Sequence, residues 1–334
     1  MPVILVTGSS GYIGSHTLLD LFSCRYNVIC IDNGSNSYKN RIYKNISKIT
    51  GKKRISRYSL DLSKDKKELE EIFNNHAIDY IIHFAALKSV SESIEKPLDY
   101  YQNNMLSTFN LLECCKKYNT KGMIFSSSAT VYSPNQEMPL TEESIVGQNL
   151  TNPYARTKYF IEEVLKDFCI ANSNFQCTCL RYFNPIGSHE SRLLDENPKG
   201  KPQNLMPNIL QVIKGNKEYL AIYGDDYNTI DGTCIRDFIH IQDLSKAHIL
   251  ALQKIFKKNE KNYNIYNVGT GKGTTVMQII QYFKKYANID INYKIEQRRL
   301  GDIPVIYCDN TKIKKELKWE PKYDMEETIK NYKI

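Results

Sequence analysis

A tyrosine and a lysine four residues apart, Tyr154 and Lys158, are the residues whose spacing most directly suggests chemistry. Asn152 and Pro153 precede them as an expected helix N-cap and first helical residue. Positions i and i+4 of a helix share a face, so the phenol and the ammonium are expected to lie side by side. An unperturbed tyrosine is a poor base at neutral pH, but a nearby ammonium favours the phenolate. The pair predicts proton transfer at a hydroxyl group, and an amphipathic helix with an unrelated pair is the alternative.

A glycine-rich turn near the N-terminus indicates a second part of the chemistry. Residues 3–6 predict a short buried strand, and glycines follow at positions 8, 11 and 14 before a helical pattern begins. We expect Gly8 to permit the tight turn, Gly11 to let the backbone approach a pyrophosphate, and Gly14 to allow close helix–strand packing. The spacing is a variant of the dinucleotide-binding fingerprint. An ordinary loop is the alternative for this turn taken alone.

An acidic residue follows the glycines at the spacing that a dinucleotide site requires. Asp32 ends a second predicted strand, residues 27–31, and suits the hydroxyls of an adenosine ribose. A carboxylate there disfavours the 2′-phosphate of NADP, so the sequence predicts NAD. The alternative is that Asp32 only opens the turn over residues 32–35.

Hydroxyl groups end a third predicted strand, residues 123–128, whose last three residues are serines. Ligands bind at the carboxyl edge of parallel α/β sheets, where Ser128 would hydrogen-bond a substrate oxygen beside the tyrosine. Strand-end capping is the alternative for each serine, and spacing does not distinguish the three. The glycine turn, the tyrosine–lysine pair and the serines together predict oxidation or reduction at a carbinol carbon.

Strands and helices alternate from residue 1 to about residue 183. This pattern predicts an α/β fold, a Rossmann-like doubly wound parallel sheet with a smaller mixed α/β substrate domain. Residues 185–204 are rich in proline, glycine, asparagine and charge and predict a boundary loop, with helices beyond it at 206–214 and 275–286. The predicted strands centre on Ile4, Ile29, Tyr58, Ile81, Ile124 and Leu180.

Seven motifs carry a resemblance to a known family. They are Thr7–His16, Ile82–Lys88, Ser126–Tyr132, Leu180–Pro185, Asn204–Pro207, Asp231–His240 and Arg298–Asp302. In this order they resemble the UDP-glucose 4-epimerase family of the extended short-chain dehydrogenase/reductase superfamily, from residue 3 to about residue 325. The resemblance implies an isomerase of galactose metabolism that uses tightly bound NAD to interconvert UDP-glucose and UDP-galactose through a 4-keto intermediate. It also implies that Tyr154 exchanges the proton of the 4-hydroxyl, Ser128 aligns that oxygen, and Lys158 tunes the tyrosine.

The resemblance implies two sets of binding residues, and the three spaced glycines complete the first of them. The cofactor set is Gly8, Gly11, Tyr12, Ile13, Gly14, Asp32, Asn33, Gly34, Ser35, Asn36, Ser37, Asp61, Leu62, Phe84, Ala85, Ala86, Leu87, Lys88, Asn103, Ser128, Tyr154, Lys158 and Phe183. The UDP-sugar set is Ser128, Tyr154, Asn184, Asn204, Leu205, Tyr223, Arg236, Arg299, Asp302 and Ile306. Arginine forks suit a diphosphate, which agrees with the presence of two arginines in the second set.

Two departures from the family pattern stand out. Ser9 replaces a glycine that is common in the family, and we expect little effect because it is not one of the spaced glycines. Ile306 occupies a position where related enzymes often carry tyrosine or cysteine. The sequence therefore leaves open whether UDP-GlcNAc and UDP-GalNAc are substrates.

The resemblance also divides the chain into two domains. Residues 1–184 are expected to form an NAD-binding Rossmann domain, and 233–255 and 263–269 to pack back onto it. The remainder of residues 185–334 is expected to form the UDP-sugar-binding domain.

Two other functions compete with epimerisation. A nucleotide-sugar 4,6-dehydratase or decarboxylase also oxidises C4, but a dehydratase needs a further acid/base pair after the strand-end hydroxyls. Ala129 and Thr130 stand there instead. A nucleotide-sensing scaffold, the non-enzymatic alternative, is expected to lose Tyr154 or Lys158, and the sequence keeps both.

Two long predicted helices, 98–118 and 153–171, carry more apolar surface than packing on one sheet requires. The resemblance implies that they form a four-helix homodimer interface. Burial within one subunit is the alternative, and the sequence does not decide between the two.

Composition narrows the remaining classes of protein. Nine cysteines without a C-x-x-C pattern predict reduced thiols in a cytoplasmic protein, and six scattered histidines predict no metal site. The net charge of +8 comes from interspersed basic clusters, which favours a solvated surface over nucleic-acid binding. Apolar runs stay well below the length of a membrane span, and a strand that starts at residue 3 predicts no signal peptide.

Overall fold

The computed structural model describes residues 1–257, 261–299 and 301–332. Its strands are β1 (Val3–Thr7), β2 (Asn27–Ile31), β3 (Ser56–Tyr58), β4 (Tyr80–His83), β5 (Gly122–Ser128), β6 (Gln176–Tyr182), β7 (Asn184–Ile186), β8 (Leu220–Tyr223), β9 (Ile235–Arg236), β10 (Phe238–His240), β11 (Tyr263–Val268), β12 (Thr274–Thr275), β13 (Tyr293–Glu296) and β14 (Val305–Ile306). Its helices are α1 (Tyr12–Ser23), α2 (Lys39–Thr50), α3 (Lys66–Asn75), α4 (Val90–Glu95), α5 (Pro97–Tyr118), α6 (Pro153–Ala171), α7 (Leu205–Ile213), α8 (Ile241–Phe256), α9 (Val276–Ala287), α10 (Thr311–Leu317) and α11 (Met325–Lys330). Leu300, inside the last sequence motif, lies outside the described residues.

The largest sheet has seven strands in the order β11-β6-β5-β4-β1-β2-β3. All of its neighbouring strands run parallel, which confirms the predicted fold class and the six predicted strand positions. The chain moves outward from β1 to β3 and then returns to β4 on the other side of β1. The strand order therefore reverses between β1 and β4, and such a reversal opens a ligand crevice at the carboxyl edge of the sheet.

Helices cover both faces of this sheet because its strands are buried almost throughout. Leu18 of α1, Ile46 of α2 and Ile249 of α8 pack on one face. Leu112 of α5 and Leu165 of α6 pack on the other. Parallel strands buried on both faces need such cover, which explains their continuous apolar runs.

The smaller sheets are formed by later parts of the chain and pack with α7, α9 and α11 around a separate core. The two helices predicted here are confirmed with ends shifted by one residue, as α7 and α9. Thr275 and Gln278 form a capping box that begins α9, and Asn288 ends it in the left-handed conformation. Two later elements join the large sheet's layers instead: β11 pairs with β6, and α8 packs against α1.

All nine cysteines carry free thiols. Cys177 and Cys179 of β6 point to the same side of the sheet, as their alternation predicts. No helix within the described residues is long and apolar enough to cross a membrane.

Candidate active site

A cleft of about 1500 Å³ opens at the carboxyl edge of the large sheet, next to the reversal of strand order. This volume exceeds what one small ligand usually occupies, so it suits two ligands placed end to end. The predicted residues that line it are Gly8, Gly11, Tyr12, Ile13, Gly14, Asp32, Asn33, Ser35, Asn36, Ser37, Asp61, Leu62, Phe84, Ala85, Ala86, Leu87, Lys88, Asn103, Ser128, Tyr154, Lys158, Phe183, Asn184, Asn204, Leu205, Tyr223, Arg236, Arg299, Asp302 and Ile306.

The glycine turn brings the backbone of β1 and the start of α1 to the wall of the cleft. Gly8 has a φ of +64°, and a Cβ there would lie 2.7 Å from the backbone nitrogen of Ala85. A Cβ on Gly14 would collide with the Gly8 carbonyl, so this position needs glycine for close packing. Gly11 is the N-cap of α1 and offers no side-chain cap to its first N–H groups. A turn of this kind leaves backbone donors and the positive end of a helix facing an anion.

Asp32 follows β2 and is tied to the same turn. One carboxylate oxygen accepts the Ser10 N–H at 2.9 Å, and the other accepts the Gly34 N–H at 2.7 Å. A carboxylate has about four acceptor positions, so capacity remains for two ribose hydroxyls. Gly34 is the one predicted residue that does not line the cleft. With a φ of +72° it forms the turn that holds Asp32.

Tyr154 and Lys158 lie in the first turns of α6, which begins as predicted. The Asn152 side chain accepts the Ala155 N–H at 2.8 Å, and proline occupies the first helical position. Lys158 is 3% exposed, and its ammonium donates to the Ser126 carbonyl at 2.6 Å. Its Nζ lies 5.9 Å from the centre of the Tyr154 ring.

The structure separates the three serines that the sequence could not. The Ser126 carbonyl holds Lys158, the Ser127 hydroxyl donates to the buried carboxylate of Glu162, and the Ser128 hydroxyl is hydrogen-bonded to Tyr154. The Ser128 hydroxyl also accepts from the N–H of Thr130 at 3.2 Å and from its hydroxyl at 3.0 Å. Tyr154, Lys158 and Ser128 therefore meet at the end of β5.

Burial shifts the protonation of both groups toward their neutral forms. It raises the pKa of the Tyr154 phenol, and the hydrogen bond with Ser128 acts in the opposite direction. It lowers the pKa of the Lys158 ammonium to about 7, against smaller opposing effects of Cys179 and Glu162. Burial, and not the lysine, dominates the pKa of the Tyr154 phenol in this structure. A cationic nicotinamide, if bound beside the phenol, would favour the phenolate.

The far end of the cleft carries the two predicted arginines around one carboxylate. Arg299 donates through Nε to Asp302 at 3.0 Å, and its guanidinium lies 4.6 Å from the centre of the Tyr223 ring. Arg236 donates through Nη1 to the Ile303 carbonyl at 2.7 Å and lies 3.9 Å from Asp302. These contacts hold two permanent positive charges at one place, where they suit a diphosphate.

Glu196 is a residue of the cleft that the sequence analysis missed. Glu196 lies within the stretch interpreted only as a boundary loop, and its side chain is 7% exposed. Its Oε1 accepts from the Lys88 ammonium at 3.0 Å and from the Asn204 amide at 2.6 Å. Glu196 therefore joins a predicted cofactor residue to a predicted sugar residue, although no motif marks it. Within the described ranges, no group of three or more potential ligands is placed to hold a metal ion.

Comparison with known proteins shows the family to which the chain belongs. Residues 4–269 match the family described as "NAD dependent epimerase/dehydratase family". The UDP-glucose 4-epimerase of Caenorhabditis elegans is 45% identical over 331 residues, which is 97% of this chain and 94% of that protein. The UDP-glucose 4-epimerase of Bacillus subtilis is 43% identical over 324 residues, which is 97% of this chain and 94% of that protein.

A solved structure shows the same fold with two ligands. The UDP-glucose 4-epimerase of Bifidobacterium longum in complex with NAD+ and UDP is 43% identical, with a TM-score of 0.93 and coverage of 98% of this chain and 96% of that one. The family match covers well over half of the sequence, and both relatives are aligned over nearly their full length. The chain therefore belongs to the NAD dependent epimerase/dehydratase family.

Proposed function

We propose that this chain interconverts UDP-glucose and UDP-galactose by inverting carbon C4 with NAD held in the cleft. The observation that carries this function is the continuity of one cleft. It runs from the glycine turn, past Tyr154, Lys158 and Ser128, to the two arginines. A dinucleotide and a nucleotide sugar laid end to end would meet at the tyrosine. UDP-glucose 4-epimerases of similar sequence support the same function.

The residues at the glycine end fit the cofactor. Gly11 and the uncapped start of α1 would hold the pyrophosphate, and Asp32 would accept from the adenosine ribose. The same carboxylate disfavours a 2′-phosphate, so the chain uses NAD. When bound, the nicotinamide supplies an acceptor and donor of hydride at C4.

The residues at the centre of the cleft would move the proton. We propose that Tyr154, as phenolate, takes the proton of the 4-hydroxyl and later returns it to the opposite configuration of the sugar. Ser128, already hydrogen-bonded to Tyr154, would hold the sugar oxygen in line. Lys158 would bind the nicotinamide ribose and add positive charge when protonated.

The residues at the arginine end would hold UDP while the 4-keto sugar rotates. Arg236 is held by backbone carbonyls, and Arg299 contacts Asp302 and the Tyr223 ring, which reduces the side-chain freedom that is lost on binding. Anchoring UDP here lets the 4-keto sugar present either face to the nicotinamide. Asn184, Asn204 and Leu205 line the same end, and we assign them to the nucleotide sugar.

The dehydratase alternative is disfavoured by the turn after β5. A dehydratase needs an acid and a base near C6, but Ala129 is apolar and the Thr130 hydroxyl donates to Ser128. The scaffold alternative is disfavoured because Tyr154 and Lys158 are both present and both line the cleft. These observations support epimerisation over elimination and over simple nucleotide sensing.

We also propose the domain division and the assembly. Residues 1–184, with 233–255 and 263–269, would form the NAD domain, and the rest of 185–334 the UDP-sugar domain. Helices α5 and α6 leave an apolar face in which Leu98 is 71%, Phe109 36% and Phe160 42% exposed. A second copy of this chain would cover that face in a four-helix interface. The nine free thiols support a reducing, cytoplasmic location.

The function is tested by incubating the purified protein with UDP-galactose, without added NAD or reductant, and separating the sugars. We expect UDP-glucose to form and NAD to be released when the protein is denatured. A product that has lost one water supports the dehydratase instead. A protein that releases no nicotinamide dinucleotide and turns over without it contradicts the proposal.

The assembly is tested by Phe109→Asp, which places a charge in the proposed interface. We expect the variant to sediment as a monomer where the wild type sediments as a dimer. Ile230→Asp is the matched control, since Ile230 is exposed elsewhere. A wild type that is monomeric at micromolar concentration contradicts the homodimer.

A further inference from the structure

A buried ion pair lies behind the catalytic residues, on the side of α6 that faces the sheet. The side chains of Glu162 in α6 and Arg181 in β6 are each 2% exposed. Arg181 donates through Nη2 to Oε2 of Glu162 at 2.6 Å and through Nε to Oε1 at 3.0 Å. Neither residue lines the cleft. A buried pair of this kind seldom stabilises a fold more than apolar residues of the same volume would, so stability does not explain it.

Glu162 is linked to both catalytic residues through the last residues of β5. Its carboxylate accepts from the hydroxyl of Ser127. The carbonyl of Ser126 accepts from the Lys158 ammonium, and the hydroxyl of Ser128 is hydrogen-bonded to Tyr154. One carboxylate therefore fixes the middle residue of a three-residue segment whose two ends hold the catalytic pair.

The same carboxylate belongs to the helix that carries the catalytic pair. Tyr154, Lys158 and Glu162 follow each other at intervals of four, so they form one stripe along α6. The stripe contacts β5 at three successive residues. A slide or rotation of α6 relative to β5 would have to break the contact of Glu162 with Ser127.

Arg181 is itself held rigidly, so Glu162 has a fixed partner. Its guanidinium lies 4.8 Å from the centre of the Tyr132 ring, and Nη1 donates to the Glu142 carbonyl at 3.4 Å. The backbone carbonyl of Glu162 accepts from the hydroxyl of Tyr263 in β11 at 3.0 Å. The pair thus connects α6 to β5, β6 and β11 with directional bonds.

We propose that Glu162 and Arg181 are positioning residues that set the register of α6 against the end of β5. They hold Tyr154 and Lys158 opposite Ser128 without touching the substrate or the cofactor. This role rests on the proposed function, because it assumes that these three residues carry the chemistry. A displacement of about 1 Å between groups that exchange a proton is enough to lower a rate on the order of 100-fold.

The decisive variant removes both charges together, as Glu162→Leu with Arg181→Met. Because no unpaired charge is left buried, the double variant is expected to fold. We expect it to retain NAD, to keep KM for UDP-galactose within about twofold, and to lose at least tenfold in kcat. We also expect the pH profile of kcat to move, since Glu162 is one of the charges acting on Lys158.

Ser127 provides a second test that leaves the ion pair intact. Ser127→Ala removes the bond to Glu162 and should lower kcat several-fold, whereas Ser127→Thr keeps a hydroxyl and should restore most of it. Cys169→Ala is the control for general damage to α6, because Cys169 is buried two turns further along the same helix. It should leave kcat and the pH profile unchanged.

The outcomes separate this proposal from the function on which it rests. A wild type without epimerase activity overturns both. An active wild type with a double variant of equal kcat and equal pH profile overturns only the positioning role, as does a variant whose KM alone changes. If the double variant does not fold, equal kcat in Ser127→Ala and wild type overturns it.

Discussion

Replacing Lys158 by methionine should make the protein more stable while it lowers turnover. Burial lowers the pKa of this ammonium from 10.5 to about 7. An unfolded lysine keeps its ordinary pKa, so placing Lys158 in the folded chain costs about 4 kcal/mol at pH 7. Methionine has a similar length and no charge, and it removes this cost. The Ser126 carbonyl loses its donor, which offsets about 1 to 3 kcal/mol and leaves a net gain of about 1 to 3 kcal/mol.

The gain in stability of Lys158→Met over the wild type should decrease as the pH rises. Between the pKa of about 7 in the folded chain and 10.5 in the unfolded chain, the unfolded state binds a proton that the folded state releases. The stability of the wild type therefore rises with pH across this window, and that of Lys158→Met lacks this slope. The electrostatic part of the difference should fall from about 5 kcal/mol at pH 6 to about 2 kcal/mol at pH 9.

Urea unfolding of the NAD-free proteins between pH 6 and pH 9 measures this difference. Lys166→Met is the matched control, because Lys166 is exposed on the same helix and its replacement should change stability by less than about 0.5 kcal/mol. A difference between wild type and Lys158→Met that stays constant with pH would refute the reasoning, because Lys158 would then titrate as an ordinary lysine. The same preparations should show that Lys158→Met loses both turnover and part of its NAD.

Three further predictions concern the cleft. Tyr154→Phe should keep the fold and the bound NAD but lower kcat by roughly 100-fold or more, as expected for a lost general base, and near-normal kcat would remove the tyrosine from the proton transfer. Arg236→Ala and Arg299→Ala should each weaken the binding of UDP by roughly 1.5 to 3 kcal/mol in calorimetric titrations. The control Arg298→Ala breaks a surface ion pair with an aspartate and should leave UDP binding unchanged. Ile306→Tyr should suppress conversion of UDP-GalNAc and UDP-GlcNAc while sparing UDP-galactose, and Ile306→Cys should raise it; an unchanged ratio of kcat/KM values means that this residue does not gate the sugar.

The prediction for Ile306 gains support from where the residue lies. Ile306 of β14 pairs with Arg236 of β9, and its side chain packs against an apolar cluster that includes Ala129 and Phe183. It thus stands between the proposed diphosphate anchor and the turn that follows Ser128. A β-branched isoleucine in this position is smaller than tyrosine but stiff, so we expect weak conversion of the acetylated sugars, below that of UDP-galactose.

The features of the site that the sequence predicted are those whose conformation depends on a few neighbouring residues. The glycine turn depends on backbone conformation and close approach, and only glycine meets both conditions at position 8. The start of α6 depends on Asn152 and Pro153, which are adjacent to it. Strand positions in the large sheet followed from continuous apolar runs. Each of these features depends on residues that are close in sequence, so the sequence alone could reveal it.

The parts that the sequence missed depend on contacts between distant segments. Glu196 gains its place only when Lys88 and Asn204 are brought together from different elements. Glu162 and Arg181 are 19 positions apart on a helix and a strand, and a charged residue in an amphipathic helix ordinarily predicts a solvated face. The return of β11 to the large sheet was expected from the family resemblance and not from periodicity. The separation of these residues in the sequence follows no pattern that would distinguish them from residues that do not meet.

The proposed catalytic pair depends both on local spacing and on contacts between distant segments. The i, i+4 spacing correctly placed Tyr154 and Lys158 on one face of α6, but it did not reveal how they are held. The side chain of Ser127 faces α6, where its hydroxyl donates to Glu162, and Ser128 lies at the end of the strand, where its hydroxyl reaches Tyr154. Three successive residues of β5 can therefore hold lysine, glutamate and tyrosine of one helix at the same time. Because the proposed chemistry depends on the contacts between α6 and the end of β5, the strand end is as much a part of the candidate site as the helix.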